Sequence, residues 1–163
     1  MVRLCGTRDP IRIAKEIGVH VMYNNDFTTL KGMYKVIQRS RFIILNGNLE
    51  DRELKTVCAH ELGHDRFHRE LAKSSALQEF TLYNTLSDLR YRHEYEANIF
   101  ASNVLIDDEE IMEMIYGDCS LEGIAGELDE DVNLVLIKME GLNERGYKVR
   151  APYHPQSDFL GRN

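Results

Sequence analysis

Apolar and polar residues alternate along the chain at two spacings, and these spacings predict the order of its helices and strands. Near the N-terminus, Asp9 as N-cap and Pro10 at the first helical position predict a short helix that ends at Gly18. The apolar face of this helix is expected at Ile11, Ala14 and Ile17. Three strands are then predicted at residues 19–23, 32–37 and 41–45, the last two joined by a tight hairpin across residues 38–40.

The next predicted element is an amphipathic helix from Asp51 to His68. One side carries basic residues at helical spacing, which form a solvated stripe: Arg52, Lys55, Arg66, Arg69 and Lys73. The opposite side carries Leu54, Val57, His60, Glu61, His64 and Phe67. Two histidines and a carboxylate therefore face inward among apolar neighbours, where polar groups without partners would be costly.

The pattern weakens after this helix and then predicts further helices. Residues 70–90 show no clear periodicity, so they form either a flap over the active site or a plain connector. A strong helix follows from Tyr91 to Ile106, and two shorter helices at 120–128 and 132–145 are joined in the manner of a helix-turn-helix. We therefore predict an α+β fold with a main domain at residues 1–107, a helical unit at 108–147 and a tail at 148–163.

The composition is typical of a small globular protein in a reducing compartment. The chain has 163 residues, 43% of them apolar and 29% charged, which is enough for one domain with its own core. Cys5, Cys58 and Cys119 are scattered without a CxxC spacing, which argues against a disulfide framework or a cysteine zinc site. The N-terminus lacks the apolar core of a signal peptide, and no apolar run approaches the roughly 20 residues that span a bilayer. We expect a soluble, cytoplasmic protein with no membrane partner.

The net charge of −7 is concentrated in one region. Between Asp107 and Asp131 there are eleven acidic residues and no basic one. Such a region is a poor partner for a phosphate backbone, because affinity for nucleic acid comes largely from Lys and Arg. The last predicted helix also begins with mostly apolar residues at 132–137, where a DNA-recognition helix needs polar and basic ones. We therefore predict that the C-terminal unit packs or docks on protein and that direct binding of nucleic acid is disfavoured.

The residues with chemical potential are His60, Glu61 and His64. Residues four apart lie on one face of a helix, so the two imidazoles could share one metal ion, with Glu61 beside them to activate a water. A chance match on a helix with surface histidines is the simpler alternative. His68 continues the same row but lies about 12 Å along the helix axis from His60, too far to join that pair on one ion. We interpret it as a packing residue or as an outer partner of the site.

A catalytic zinc site needs a third protein ligand and one open position. The helix at residues 91–106 offers Glu94 and Glu96, and one of the two is expected to be an ordinary solvent-exposed carboxylate. Glu94 shares a face with small residues that would let the two helices approach closely, so we choose Glu94. Asn98, four residues later, could then accept a hydrogen bond from a ligand histidine. His93 is a weaker candidate, because it points about 100° away around the helix.

Two motifs together carry a resemblance to a known family. His60-Glu-Leu-Gly-His64, preceded by the strand at residues 42–46 and followed by Glu94-Tyr-Glu-Ala-Asn98, resembles the ImmA/IrrE family of metallopeptidases, over roughly residues 10–107. The resemblance implies a zincin-like domain in which His60, His64 and Glu94 hold one zinc ion and Glu61 is the base. It further implies cleavage of a helix-turn-helix repressor of a phage or mobile element. The chain departs from many members at Val104-Leu-Ile-Asp-Asp108, where they have a Leu-Leu-Met-Pro-like ending.

Two functions from different classes are compatible with these residues. The first is a zinc endopeptidase that cuts a repressor, and the second is a protein that keeps the fold but binds a regulator without cutting it. Glu61 favours the peptidase, because a binder has no chemical need for a base beside the metal. Tyr91, Tyr95 and His154 are candidates to stabilise the oxyanion, although such tyrosines more often belong to the core. The substrate could add as an extended strand beside the sheet. The sequence does not identify the oligomeric state.

Overall fold

The computed structural model describes residues 1–73 and 87–155. Its elements in chain order are α1 (Val2–Cys5), α2 (Pro10–Glu16), β1 (Val19–Asn24), β2 (Gly32–Ile37), β3 (Ser40–Asn46), α3 (Asp51–Phe67), α4 (Arg69–Lys73), α5 (Ser87–Leu105), α6 (Asp108–Tyr116), α7 (Leu121–Glu127) and α8 (Val132–Glu144). The fold is therefore α+β, as predicted. It is consistent with a zincin-like domain, because a small sheet precedes the two long helices α3 and α5. Helix α5 begins four residues before the predicted Tyr91.

Helix α2 begins and ends as the sequence predicts, but its buried face differs. The Asp9 side chain accepts hydrogen bonds from the backbone N–H groups of Ile11 and Arg12, and Gly18 has a φ of 75° just beyond the helix. Ile13 and Ala14 are fully buried, whereas Ile11 and Ile17 are only partly so. The predicted face was therefore wrong in omitting Ile13, which is buried because α2 packs against both β1 and α3.

The three predicted strands form one mixed sheet in the order β1-β3-β2. β3 lies in the centre, parallel to β1 and antiparallel to β2, and its Ile43 and Leu45 are fully buried. The hairpin between β2 and β3 turns through Gln38 and Arg39, with φ angles of 48° and 69°. Two consecutive left-handed residues make the kind of two-residue turn whose twist matches that of antiparallel strands.

Helix α3 is buried around most of its circumference, more than an amphipathic pattern predicts. Its buried residues are Thr56, Val57, Cys58, Ala59, His60, Glu61, Leu62, Gly63 and Asp65. The reason is that the sheet and α2 pack on this helix while α5 packs along it as well. Phe67 was predicted to face inward and this was wrong: it is 57% exposed, because α3 ends there, and its ring meets the edge of Phe100.

The C-terminal helices pack onto the rest of the described chain. The buried apolar cluster runs from Ile13 to Val149 and includes residues of both predicted units. In α8 the stretch from Leu134 to Met139 is buried, so most faces of this helix contact protein. Lys138 in that stretch is only 2% exposed and pairs with Asp108 at 2.5 Å. The predicted packing role of this unit agrees with the burial of α8, whereas the division at residue 107 stays a prediction.

Part of the acidic region is neutralised by basic side chains from elsewhere in the chain. Arg8 pairs with Asp107 and donates to the last carbonyl groups of α5, at Asn103 and Val104. Asp108 forms ion pairs with Arg145 and with Lys138. Hydrogen bonds from these two cations hold the pKa of Asp108 well below its usual range. These ion pairs tie the start of α6 to α5 and α8, so this end of the region does more than solvate the surface.

Two of the predicted segments fall partly outside the described residues. Of residues 70–90, positions 74–86 are not among those described, and the flanking positions belong to α4 and α5. Of the tail, residues 156–163 are not among them, and Val149 is held by two hydrogen bonds with the side chain of Asn143, at 2.7 and 2.8 Å. Among the helices of the described residues, none is both long enough and apolar enough to cross a membrane.

Candidate metal centre

The site lies where α3 and α5 pack against each other, and a glycine sets how closely they approach. A Cβ atom placed on Gly63 would lie 2.8 Å from the Cα and 3.0 Å from the carbonyl oxygen of Ala97. Neither distance is compatible with ordinary van der Waals contact, so only glycine allows this separation of the helices. Ala97 and Ala101 are fully buried, in agreement with the small-residue face that the sequence predicts for α5.

This close approach brings His60, His64 and Glu94 together. The Nε2 atoms of the two histidines are 3.1 Å apart. Glu94 places one carboxylate oxygen 3.2 Å from the Nε2 of His60 and the other 3.7 Å from the Nε2 of His64. The sequence-based choice of Glu94 requires such an arrangement, and the three residues form a group whose ligand atoms lie within 4.8 Å of one another. Their roles as ligands stay predictions.

The charges of this group are strongly coupled. Burial acts to raise the pKa of Glu94, but the nearby imidazoles of His60 and His64 outweigh it and hold the pKa well below its usual range. Burial acts to lower the pKa of His60, but the neighbouring carboxylates of Glu94 and Glu61 raise it above its ordinary value. The site thus favours an ionised carboxylate and a positive charge facing it.

Asn98, the predicted outer partner, lies next to the Nδ1 atom of His60. Its Oδ1 atom is 2.7 Å from the Nδ1 of His60, and the side chain is buried. A metal-bound imidazole needs an acceptor for its second N–H, because that hydrogen bond fixes the orientation of the ring. The contact is the one required of an outer partner, which is the role we predict for Asn98.

Glu61 is buried beside the histidines, on the side of the sheet edge. The residue is 7% exposed, and the backbone N–H of Tyr34 in β2 lies close enough to its carboxylate to act against a rise in its pKa. Burial raises the pKa of Glu61 above its ordinary value, although the nearby charges of His60 and His64 oppose the shift. A carboxylate with a raised pKa is a better proton acceptor near neutral pH, and this is the property of a general base.

The sequence analysis missed Asp65, the residue that follows the motif. It is 2% exposed and accepts hydrogen bonds from the Tyr34 hydroxyl at 2.7 Å, from Arg41 at 2.9 Å and from Arg69 at 3.2 Å. Burial and the Asp65 carboxylate raise the pKa of Tyr34. Asp65 therefore ties β2 and β3 to α3 and fixes the strand whose N–H reaches Glu61. The amphipathic pattern of α3 does not predict that Asp65 is buried, because its partners Tyr34 and Arg41 come from distant strands.

The second carboxylate candidate, Glu96, contacts His68. The Nε2 of His68 is 3.0 Å from Glu96, and the Nδ1 of His68 is 3.0 Å from the Nδ1 of His64. Arg92 donates to the other oxygen of Glu96 at 2.9 Å, and the ring of His93 lies 4.4 Å from that of His68. Burial lowers the pKa of His68. His68 thus adjoins the site without joining the pair of Nε2 atoms, as the helix geometry predicts.

Of the three candidates for stabilising the oxyanion, two contact Glu140 of α8 and the third is largely exposed. The Tyr95 hydroxyl donates to Glu140 of α8 at 2.8 Å, and the Nδ1 of His154 is 3.1 Å from the same carboxylate. Burial and the hydrogen bond with Glu140 raise the pKa of Tyr95. Tyr91 is largely exposed. Tyr95 and His154 thus contact the C-terminal helix, and their assignment to the oxyanion stays a prediction that these contacts do not support.

The donor set fits a zinc ion. Two imidazole nitrogens and one carboxylate are a ligand set of catalytic zinc sites, which leave a fourth position open. The separations of 3.1 to 3.7 Å between the donor atoms resemble the edges of a tetrahedron around one centre at ~2 Å, which are about 3.3 Å long. Each histidine also has a polar atom next to its Nδ1, the Oδ1 of Asn98 for His60 and the Nδ1 of His68 for His64.

Comparison with known proteins places the chain among peptidases. The profile of the family Peptidase_M78, described as the IrrE N-terminal-like domain, matches residues 14–125. A relative from Bacillus phage phi105, named "Uncharacterized immunity region protein 2", is 30% identical over 125 residues, which cover 77% of this chain and 75% of the relative. No solved structure matches the chain. The matched residues extend past position 107, so they include α6 and part of α7.

Proposed function

Because the chain belongs to the ImmA/IrrE family of peptidases, whose IrrE N-terminal-like domain it contains, we propose that it is a zinc-dependent endopeptidase acting on a regulatory protein. The substrate proposed is a helix-turn-helix repressor of a phage or mobile element. The observation that carries the proposal is the convergence of His60, His64 and Glu94, with the buried carboxylate of Glu61 beside them.

In this proposal His60, His64 and Glu94 hold one zinc ion, and Asn98 orients His60. Zinc bound there would supply a Lewis acid for the scissile carbonyl and lower the pKa of the attacking water. Glu61 accepts a proton from that water as its oxygen attacks the carbonyl carbon. When the C–N bond breaks, Glu61 passes the proton to the leaving amine. The raised pKa of Glu61 supports both transfers, since a carboxyl group with a pKa closer to neutral can accept a proton and release it.

The position of β2 supports binding of an extended peptide. β2 is an edge strand of the sheet, and its Tyr34 N–H reaches Glu61. A substrate lying beside this edge would therefore pass the proposed base and gain main-chain hydrogen bonds that do not depend on its side chains. Asp65 supports this arrangement, because it anchors the hydroxyl of Tyr34 and so holds the edge strand against α3.

Two observations support a regulatory protein, rather than DNA, as the partner. One is the relative's name, which places that protein in a phage immunity region. The other is the burial of α8 from Leu134 to Met139, since a helix covered by its own protein cannot enter the major groove of DNA. Cleavage would remove an intact repressor and so derepress the genes it controls.

Co-expression of the protein with the repressor-like protein encoded nearest to it tests the proposal. The matched control is Glu61→Gln, which preserves the shape of the side chain but removes the base. We expect a discrete repressor fragment with the wild type and intact repressor with Glu61→Gln, both read by mass spectrometry, which also locates the cut.

The other outcomes identify the alternative. A stable complex with both versions and no fragment would contradict the endopeptidase and support a protein that binds a regulator without cutting it. Equal amounts of the same fragment with both versions would point to a host protease instead.

A further inference from the structure

We propose that His68 and Glu96 orient His64 for zinc, so that His68 is a positioning residue of the site. The inference rests on the proposed function, because it concerns the zinc site on which that function depends. The inference goes beyond that function by assigning a role to His68 and Glu96, which are neither proposed ligands nor the proposed base. The observation behind it is a continuous row of polar contacts from His64 through His68 to Glu96.

The first step is the protonation pattern that His64 must have as a ligand. Its Nε2 faces the Nε2 of His60 and the carboxylate of Glu94, so Nε2 is the atom available to the metal. A neutral imidazole that binds a metal through Nε2 carries its hydrogen on Nδ1. The partner of that N–H is the Nδ1 of His68, 3.0 Å away. His68 must therefore accept at Nδ1.

The second step follows from the first. If Nδ1 of His68 accepts, its hydrogen lies on Nε2, and this N–H donates to Glu96 at 3.0 Å. The other oxygen of Glu96 accepts from the Nε atom of Arg92 at 2.9 Å. Every contact in the row thus has one donor and one acceptor, and all N–H groups from His64 to Glu96 point in the same direction. The ionised carboxylate at the end stabilises that direction.

The row gives the Nδ1–H of His64 a hydrogen-bond acceptor, as Asn98 does for the Nδ1–H of His60. Both outer partners are anchored on α5, the helix that also carries Glu94, so α5 supplies one ligand and orients the other two. A purely apolar residue at position 68 would fill the same buried space but leave the Nδ1–H of His64 without this acceptor. If His68 only packs, an apolar substitution should leave zinc affinity unchanged. If His68 positions His64, the same substitution should weaken zinc binding.

Zinc affinity of the purified protein, measured by competition with a chromophoric chelator, tests the inference. We expect His68→Phe to weaken binding roughly tenfold to hundredfold, the usual effect of losing an outer hydrogen-bond partner. His68→Asn keeps an oxygen near the position of Nδ1 and is expected to bind within about tenfold of the wild type. His20→Phe is the matched control, since His20 is exposed on β1 and its ring stacks on Phe42, and the zinc affinity of this variant should not change.

A second variant keeps the test valid if His68→Phe does not fold. Glu96→Ala changes a partly exposed residue one step further from the metal, so we expect a smaller loss, roughly threefold to tenfold. Wild-type affinity in both His68→Phe and Glu96→Ala would overturn the inference while leaving the zinc site itself in place. Equal losses in His68→Phe and His68→Asn would also overturn it, because shape rather than the acceptor would then matter. Failure of the wild type to bind zinc would reject both this inference and the proposed function.

Discussion

Substitution of Gly63 by alanine should damage the zinc site without touching a ligand. The added methyl group would lie 2.8 Å from the Cα of Ala97, whereas ordinary contact begins at 3.4 Å. The obstacle is the backbone of α5, which cannot rotate away like the end of a side chain. The two helices must therefore separate by about 0.6 Å at this point, the difference between those two distances.

This separation is expected to affect both folding and zinc binding. Overpacking of this kind costs about 1–3 kcal/mol, and replacing glycine by alanine inside a helix returns about 1 kcal/mol, so the net loss of unfolding free energy is about 0–2 kcal/mol. Glu94 and Asn98 flank Ala97 on α5, so both move away from the histidines with it. Metal–ligand distances tolerate only about 0.2 Å, and a shift of the ligand helix several times larger should weaken zinc binding at least about tenfold.

The assay combines chelator competition for zinc affinity with urea unfolding of the metal-free protein. Gly141→Ala in α8 is the matched control, because a Cβ atom there meets no other atom within 4 Å. We expect it to keep its zinc affinity and gain up to about 1 kcal/mol of unfolding free energy from helix propensity. Wild-type zinc affinity in Gly63→Ala would refute the reasoning, since it would mean that the contact with Ala97 does not position Glu94.

Two further predictions concern carboxylates. Glu94→Ala should weaken zinc binding more than roughly a hundredfold because it removes a proposed ligand, whereas Glu96→Ala should stay within about tenfold, and the reverse order in chelator competition would contradict the choice of Glu94. Burial raises the pKa of Glu130 to about 7. Because this folded-state pKa is above the unfolded one, ionisation costs stability as pH rises from about 4.5 to 7. Glu130→Gln should therefore be more stable than the wild type by about 1–2 kcal/mol in urea unfolding at pH 8, allowing for solvent screening, and equal to it at pH 4.5; the same difference at both pH values would exclude this cause.

The elements near the site were predictable because their signals are local. Asp9 and Pro10 mark a helix start through groups on adjacent residues, and the spacing of His60 and His64 fixes a shared face without knowledge of any other element. The choice between Glu94 and Glu96 was also open to sequence reasoning, since small neighbours on one face of α5 indicate where it can approach another helix. In each case the information lies within about one helical turn.

What the sequence did not predict depends on neighbours from distant parts of the chain. Asp65 is buried because Tyr34 and Arg41 reach it from two strands, and no periodicity within α3 indicates them. Lys138 is buried because Asp108 lies beside it. The error at Phe67 has a similar origin, since a residue at the predicted inward position is exposed where its helix ends. The predicted hairpin makes β2 and β3 antiparallel neighbours, but the parallel pairing of β1 with β3 was beyond a pattern that assigns each strand separately.

The dependence of the site on one helix pair explains why its polar groups tolerate burial. The imidazoles of the site would be costly to bury alone, but α5 offers Asn98 to His60, Glu94 to both His60 and His64, and Glu96 to His68. These partners are correctly placed only while the helices stay close, which the pairing of Gly63 with Ala97 allows. If zinc binds as proposed, core packing and zinc affinity depend on the same contact, and a substitution that loosens it is expected to change both together.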